Sequence, residues 1–357
     1  MCRRTGVGLY RIQPTDRVAI LLHDGIRSGQ GKTGLAMLRY SAANLVAVID
    51  RECVGQSLPE LTGIPRDLPI VASAADALIY QPTVLVIGIA ILGGELPSDW
   101  RQDLQQAIAA GVSIVNGLHT RLSQDAEFTK LLGPHQWIWD VRVEPANLPV
   151  GTGRARQLDC LRVLTVGTDM AVGKMSTSLE LHRASLKQGL RSAFLATGQT
   201  GIMIAGSGIP LDAIRVDFAA GAVEALVLQA SDNEILHIEG QGSLCNPAST
   251  ATLPLLRGSQ PTHLILVHRA GQTTIERYPE VPIPPLREIV RLYETVAAAG
   301  GSFAATPVAA IALNTARLTE RAAQQAIKQV EIETGLPCTD PVRLGSNRLL
   351  EAILRSA

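Results

Sequence analysis

Short apolar runs alternate along the chain with stretches of helical periodicity. RVAILL (17–22), LVAVID (45–50), TVLVIGIA (83–90) and VSIVNG (112–117) read as buried strands, and WRQDLQQAIAAG (100–111) reads as an intervening helix. Strands without polar alternation are buried on both faces, and strands alternating with helices imply a parallel sheet. The stretch DVRVEPANLPVGTGRARQLDC (140–160) breaks the rhythm with prolines, glycines and mixed charge, as a domain boundary does. A second series follows. LRVLTV (161–166), RSAFLA (191–196), ILHIE (235–239), HLILVH (263–268) and VAAIALN (308–314) are its expected strands. Its expected helices span 173–190, about 284–299 and 317–334. RYPEVPIPPLRE (277–288) reads as a loop entering a helix, with proline near the first turn where no N–H is needed.

Two glycine-rich stretches follow strands, and both carry a lysine. GIRSGQGKTG (25–34) satisfies the dinucleotide pattern G-x-G-x-x-G and also ends like a phosphate-binding loop. Asp50 closes the next strand, where a dinucleotide site wants an acid for ribose. Six residues separate the first strand from Gly29, however, whereas the dinucleotide turn begins at the strand itself. The expectation is a glycine-rich turn with Lys32 facing a cleft or solvent. GTDMAVGKMST (167–177) fits the P-loop pattern less well, because Met175 follows the lysine, but its placement is better. Gly167 comes straight off a strand and Lys174 opens a long helix. The expected phosphate contacts are Gly167, Thr168, Asp169, Val172, Gly173, Lys174, Ser176 and Thr177. Backbone N–H groups, the helix N-terminus and the ammonium all favour an anion there. Met175 has no oxygen to offer a cation, so Ser176 or Thr177 would supply any hydroxyl ligand.

Other polar residues fall at ends of the second series of strands. Glu239, in ILHIEGQGS (235–243), would sit on the ligand side of a parallel sheet and hold Mg²⁺ or act as a base. Asp217 precedes a helix pattern and is a second candidate carboxylate. Asn314 ends a strand, where its amide would read an adenine edge. ATGQTG (196–201) is a polar glycine loop of the same series. The seven histidines show no metal spacing; His182 reads as packing or surface, while His237 and His268 are minor site candidates. The expected fold class is thus α/β in two domains, a Rossmann-like parallel sheet over 1–150 and a P-loop NTPase-like parallel sheet over 151–357.

Composition narrows the function classes. Lys plus Arg and Asp plus Glu are 32 each, so no basic excess marks a nucleic-acid footprint. Aromatic residues are 3% of the chain, too few for base-stacking platforms. The five cysteines are scattered and never spaced C-x-x-C, which fits a reducing cytosol and neither a disulfide framework nor zinc. No apolar h-region follows Arg3 and Arg4, and no apolar run is long enough for a membrane span. The expectation is a cytoplasmic protein that binds a small molecule and further copies of itself, without nucleic acid or membrane.

GTDMAVGKMST resembles the loop of dethiobiotin synthetase and its relatives, and EGQGS looks like the metal-binding Glu-Gly-x-Gly segment of that group. A closer resemblance is to the family whose characterised members are D-glutamate N-acetyltransferases, built from a Rossmann-like and a P-loop domain. AAGVSIVNGLH, GTDMAVGKMST, TGQTGIMIAGSGIPLDAIRVDFAAGAVE, EGQGSLCNPAS and GLPCTD carry it and cover nearly the whole chain. The chain departs from that pattern at Cys245-Asn246-Pro247, where a His-Pro pair is expected. The resemblance implies acetyl transfer from acetyl-CoA to the amine of an acidic amino acid, with the loop holding the CoA diphosphate. That use accommodates Met175. Glu239 or Asp169 would be the base, Lys174 or loop N–H groups would stabilise the oxyanion, and Arg269 and Arg215 would take the substrate carboxylates. The alternative is a Mg²⁺- and ATP-dependent ligase or kinase of the dethiobiotin synthetase kind, with Ser176, Thr177, Asp217 and Glu239 around the metal. A nucleotide-binding regulatory protein is the third class.

Overall fold

Every run expected to be a strand is one in the computed structural model, which describes residues 12–90 and 96–356. The chain divides into two units: residues 1–143 with 202–210, and residues 144–201 with 211–357.

The first unit holds β1 (Arg17–Leu21), β2 (Asn44–Ile49), β3 (Ile70–Val71), β4 (Val84–Ile87), β5 (Ser113–Asn116) and β6 (Ile138–Asp140). They form one parallel sheet in the order β3-β2-β1-β4-β5-β6. The chain runs outward from β1 to β3, then crosses back to β4, which is the Rossmann winding. Val18, Ala19, Ile20 and Leu21 of the central strand are fully buried, as a strand covered on both faces requires. The expected helix over 100–111 is Arg101–Ala109. The short strands β3 and β6 were not anticipated, and β6 ends at Asp140, the first residue of the expected boundary stretch.

The second unit holds β7 (Leu161–Gly167), β8 (Ser192–Leu195), β9 (Ile235–Ile238), β10 (His263–Arg269), β13 (Val308–Asn314) and β14 (Cys338–Thr339) in one parallel sheet. A small antiparallel hairpin, β11 (Thr274–Ile275) with β12 (Tyr278–Pro282), lies between β10 and β13 in sequence. The order is β14-β13-β10-β7-β9-β8. The chain leaves β7 for the edge at β8, returns to β9, and then crosses β7 to β10. The crevice beyond the carboxyl end of β7 is therefore the switch point, where open α/β sheets bind ligands. GTDMAVGKMST occupies that place. Val163, Ile265 and Ala312 of the sheet pack with Leu181, Leu350 and Ile353 of the flanking helices.

One expected loop is corrected. RYPEVPIPPLRE contributes β12 before its helix, which starts at Leu286 with Pro285 as the N-cap and ends at Val296. The expected helix over 317–334 is Glu320–Thr334; the Thr319 side chain accepts from Ala322 N at its start, and Gly335, at φ 71°, ends it. Among the described residues no helix is long and apolar enough to cross a membrane.

Candidate active site

GIRSGQGKTG forms a short 3-10 turn (Gly29–Gly31) and then the helix Lys32–Tyr40. Gly25, Gly31 and Gly34 serve close packing, whereas a Cβ on Gly29 would meet nothing. A Cβ on Gly31 would lie 2.2 Å from the carbonyl oxygen of Gly25, and Gly34 N donates to Gly88 O at 2.6 Å. Asp50 is buried and turned to its own backbone, accepting from Ile26 N at 3.2 Å and Glu52 N at 3.0 Å. Its carboxylate braces the loop after β1. Lys32 is exposed.

GTDMAVGKMST leads directly from β7 into the helix Lys174–Lys187. Gly173 stands at φ 120°, a backbone conformation that side chains oppose, and Ala171 adopts φ 55° without being glycine. Such a cost persists where surrounding contacts hold it, often at ligand sites. Here the contacts are explicit. Arg269 Nη2 donates to Ala171 O at 3.0 Å, and Asn314 Nδ2 to Val172 O at 3.0 Å. The buried Lys174 ammonium donates to Asp169 O at 2.8 Å. Thr168 is bonded to His268 through Oγ1 and Nδ1 at 2.9 Å.

Asp169 is the knot of this arrangement. Oδ1 accepts from Met170 N (2.6 Å) and Asn246 Nδ2 (2.8 Å), and Oδ2 accepts from Gln272 Nε2 (2.7 Å) and Glu276 N (2.8 Å). Burial alone would raise its pKa, but the donors, Glu276 N–H foremost and then the Asn246 amide, outweigh it and hold the carboxyl below its usual range. A carboxylate saturated by four donors makes a poor base. Asp169 instead ties the loop to the β10–β11 turn, the hairpin tip and the segment after β9.

Glu239, directly after β9, has the opposite balance. It is 3% exposed. Oε2 accepts from Thr197 N (2.9 Å) and Gly198 N (3.1 Å), and Oε1 from Gln241 Nε2 (3.2 Å). Burial pushes its pKa up to about 7, against the pull of those two N–H groups and of the Lys174 cation. A buried carboxyl that titrates near neutrality beside a P-loop lysine can both take and return a proton.

The remaining expected residues are braced against their own chain or exposed. Asn314 faces the loop, yet its Oδ1 accepts from Ala316 N and its Nδ2 holds Val172 O, so it braces backbone. Arg269 is paired with Glu276 at 2.7 Å, and Arg215 with Glu144 at 2.9 Å, so both guanidiniums have carboxylates of their own chain. Asp217 lies within the first turn of the helix Val216–Gln229, exposed, while Glu239 is buried; the two do not share one environment. Thr177 Oγ1 donates to Gly173 O in the helix at 3.1 Å, and Ser176 is half-buried. Among the described residues no group of three or more His, Cys, Asp or Glu is placed to hold a metal ion. His237 is fully buried against Ser185, with its pKa lowered by burial to about 3; burial and Arg269 lower that of His268 to about 4. Both rings are neutral at ordinary pH.

Two residues of the site were not anticipated. Asn246 stands where a His-Pro pair was expected to begin and anchors Asp169. Tyr293, fully buried in the helix Leu286–Val296, donates its hydroxyl to Gly167 O at 2.7 Å and accepts from Leu244 N at 3.1 Å. A buried tyrosine hydroxyl usually has a hydrogen-bond partner, and here the partner is the P-loop backbone. Removing that hydroxyl in Tyr293→Phe takes a partner from the buried Gly167 carbonyl and from the half-buried Leu244 N–H. The expected cost is about 1–3 kcal/mol in urea unfolding, with weaker ligand binding at the loop.

A loop off the central strand of a parallel sheet, closed at the helix start by a buried lysine, defines the second unit as a P-loop domain. Residues 149–350 match the family model described as "Domain of unknown function (DUF1611_C) P-loop domain", and residues 51–144 match "Domain of unknown function (DUF1611_N) Rossmann-like domain". The chain belongs to the DUF1611 family. It is 37% identical over 271 residues to a D-glutamate N-acetyltransferase of Tritonibacter scottomollicae, covering 75% of this chain and 80% of that protein. It is 36% identical over 280 residues to one of a Pseudoalteromonas species, covering 78% and 83%. A crystal structure of a DUF1611 family protein from Anabaena variabilis ATCC 29413 is 62% identical, with a TM-score of 0.94, covering 96% of this chain and 100% of that one.

Proposed function

We propose that the protein transfers the acetyl group of acetyl-CoA to the amine of D-glutamate or a similar acidic amino acid. The observation that carries this reading is Glu239: a carboxyl buried at the carboxyl edge of the sheet, in the field of Lys174, and titrating near pH 7. The names of the two N-acetyltransferase relatives support it. The P-loop holds the CoA diphosphate through its N–H groups and Lys174.

An amino acid reaches the enzyme as an ammonium ion. Glu239 takes one proton, freeing the lone pair. The nitrogen attacks the thioester carbonyl, and the oxygen of the tetrahedral intermediate gains negative charge near Lys174 and the loop N–H groups. As the C–S bond breaks, the nitrogen gives up its second proton to the departing thiolate, so that an N–C amide and free CoA thiol remain, and Glu239 releases the first proton to solvent. No metal takes part in these steps.

Calorimetric titration with CoA and with ATP, each with and without Mg²⁺, tests the ligand. CoA binding independent of Mg²⁺ is the expected result. ATP binding that requires Mg²⁺, with no CoA binding, points to the ligase or kinase chemistry and contradicts the proposal.

A further inference from the structure

The turn after β13 is fixed on both sides. Thr315 is fully buried, and its N–H and hydroxyl reach Asp340 Oδ2 at 2.9 and 2.5 Å. Arg343 Nη2 donates to Thr315 O at 3.0 Å and to Leu318 O at 2.8 Å. Asn314 ties the same turn to Val172 of the P-loop. From this braced backbone Arg317 extends a side chain that is 77% exposed.

Among the described residues its ion contact is to Glu276 Oε1, long at 3.7 Å, and Arg269 holds the same oxygen at 2.7 Å. Arg269 thus already neutralises Glu276. An exposed pair at the limit of ion contact is worth little and is easily given up for a better anion. Glu276 in turn is fastened to the P-loop through its own N–H to Asp169. Arg317 therefore stands at the rim of the loop, on the carboxyl side of the sheet, with no close partner for its fork among the described residues.

We propose that Arg317 reads the ribose 3′-phosphate of CoA and so sets the preference for CoA over nucleotides that lack it. This rests on the reading of the P-loop as a CoA site. With the diphosphate in the loop, the ribose follows along the carboxyl edge of the sheet, and the turn after β13 borders the Val172–Gly173 side of that loop. A phosphate dianion suits a guanidinium through two parallel N–H···O bonds. Arg269 cannot serve, because it is committed to Ala171 O and Glu276.

Titration of the wild type and of R317A with CoA and with dephospho-CoA tests this. The wild type is expected to bind CoA about tenfold or more tightly than dephospho-CoA, the scale of a charge-assisted contact. R317A is expected to bind the two alike, at the wild-type affinity for dephospho-CoA. Equal wild-type binding of both ligands, or a preference retained in R317A, overturns the role of Arg317 and leaves the CoA site standing. A wild type that binds neither ligand overturns the CoA site and this role with it.

Discussion

Lys174→Ala is expected to weaken CoA binding on the order of a hundredfold, while Lys32→Ala leaves it unchanged. The size follows from the loss of charged hydrogen bonds to phosphate in a buried setting. Lys174 is 6% exposed and opens the helix on the switch point; Lys32 is exposed, and the glycines beside it pack against the Gly25 backbone and the Leu22 and Ile20 side chains. A second signature separates a lost cation from a damaged loop. Lys174 lowers the pKa of Glu239, so its removal moves the acid limb of the rate profile to higher pH. Calorimetry and a pH–rate series on the variant read both effects. Loss of binding in Lys32→Ala with Lys174→Ala intact would place the phosphate in the first unit instead.

Glu239→Gln is expected to lower kcat by roughly 10²–10⁴-fold, the usual contribution of a general base. CoA affinity stays, because the glutamine carbonyl can still accept from Thr197 and Gly198. In the wild type, kcat/KM is expected to rise with pH through a midpoint near 7, where Glu239 would lose its proton, and the glutamine variant is expected to lack that limb. Stability carries the same titration with a definite sign. The folded carboxyl keeps its proton up to about 7, above its ordinary 4.5, so between these values the native state binds more protons than the unfolded one. Its contribution is present below about 4.5 and is lost as pH rises through about 7. Denaturant titrations over that range show a shallower pH slope in Glu239→Gln. An unchanged rate and an unchanged acid limb in the variant would remove Glu239 from the chemistry.

The sheets were legible because their strands are apolar without alternation. β7 and β10 are each long enough to be found from their residues alone. β3 and β14 contribute two residues each, too few for periodicity to register. β12, YPEVP, carries two prolines and a glutamate, which read as a loop; it forms within a two-stranded hairpin whose pairing the sequence does not reveal. The P-loop was legible from placement: glycine straight after a strand, lysine at a helix start. The place of Glu239 directly after a strand was legible too, while its burial was not.

The roles of Asp169, Asn314 and Arg269 were harder to read, since each type can serve a ligand or the backbone. Only their partners decide. Asp169 has four donors, Asn314 holds Val172, and Arg269 holds Ala171. Tyr293 reaches Gly167 across 126 positions of sequence, a contact that no local pattern carries.

The most direct test of the central claim is incubation of the protein with acetyl-CoA and D-glutamate, following free thiol and the mass of the amino acid together. One thiol is expected for each N-acetylated D-glutamate formed, without added Mg²⁺ or ATP, and Glu239→Gln should suppress both signals. No thiol release with any D- or L-amino acid would contradict the account.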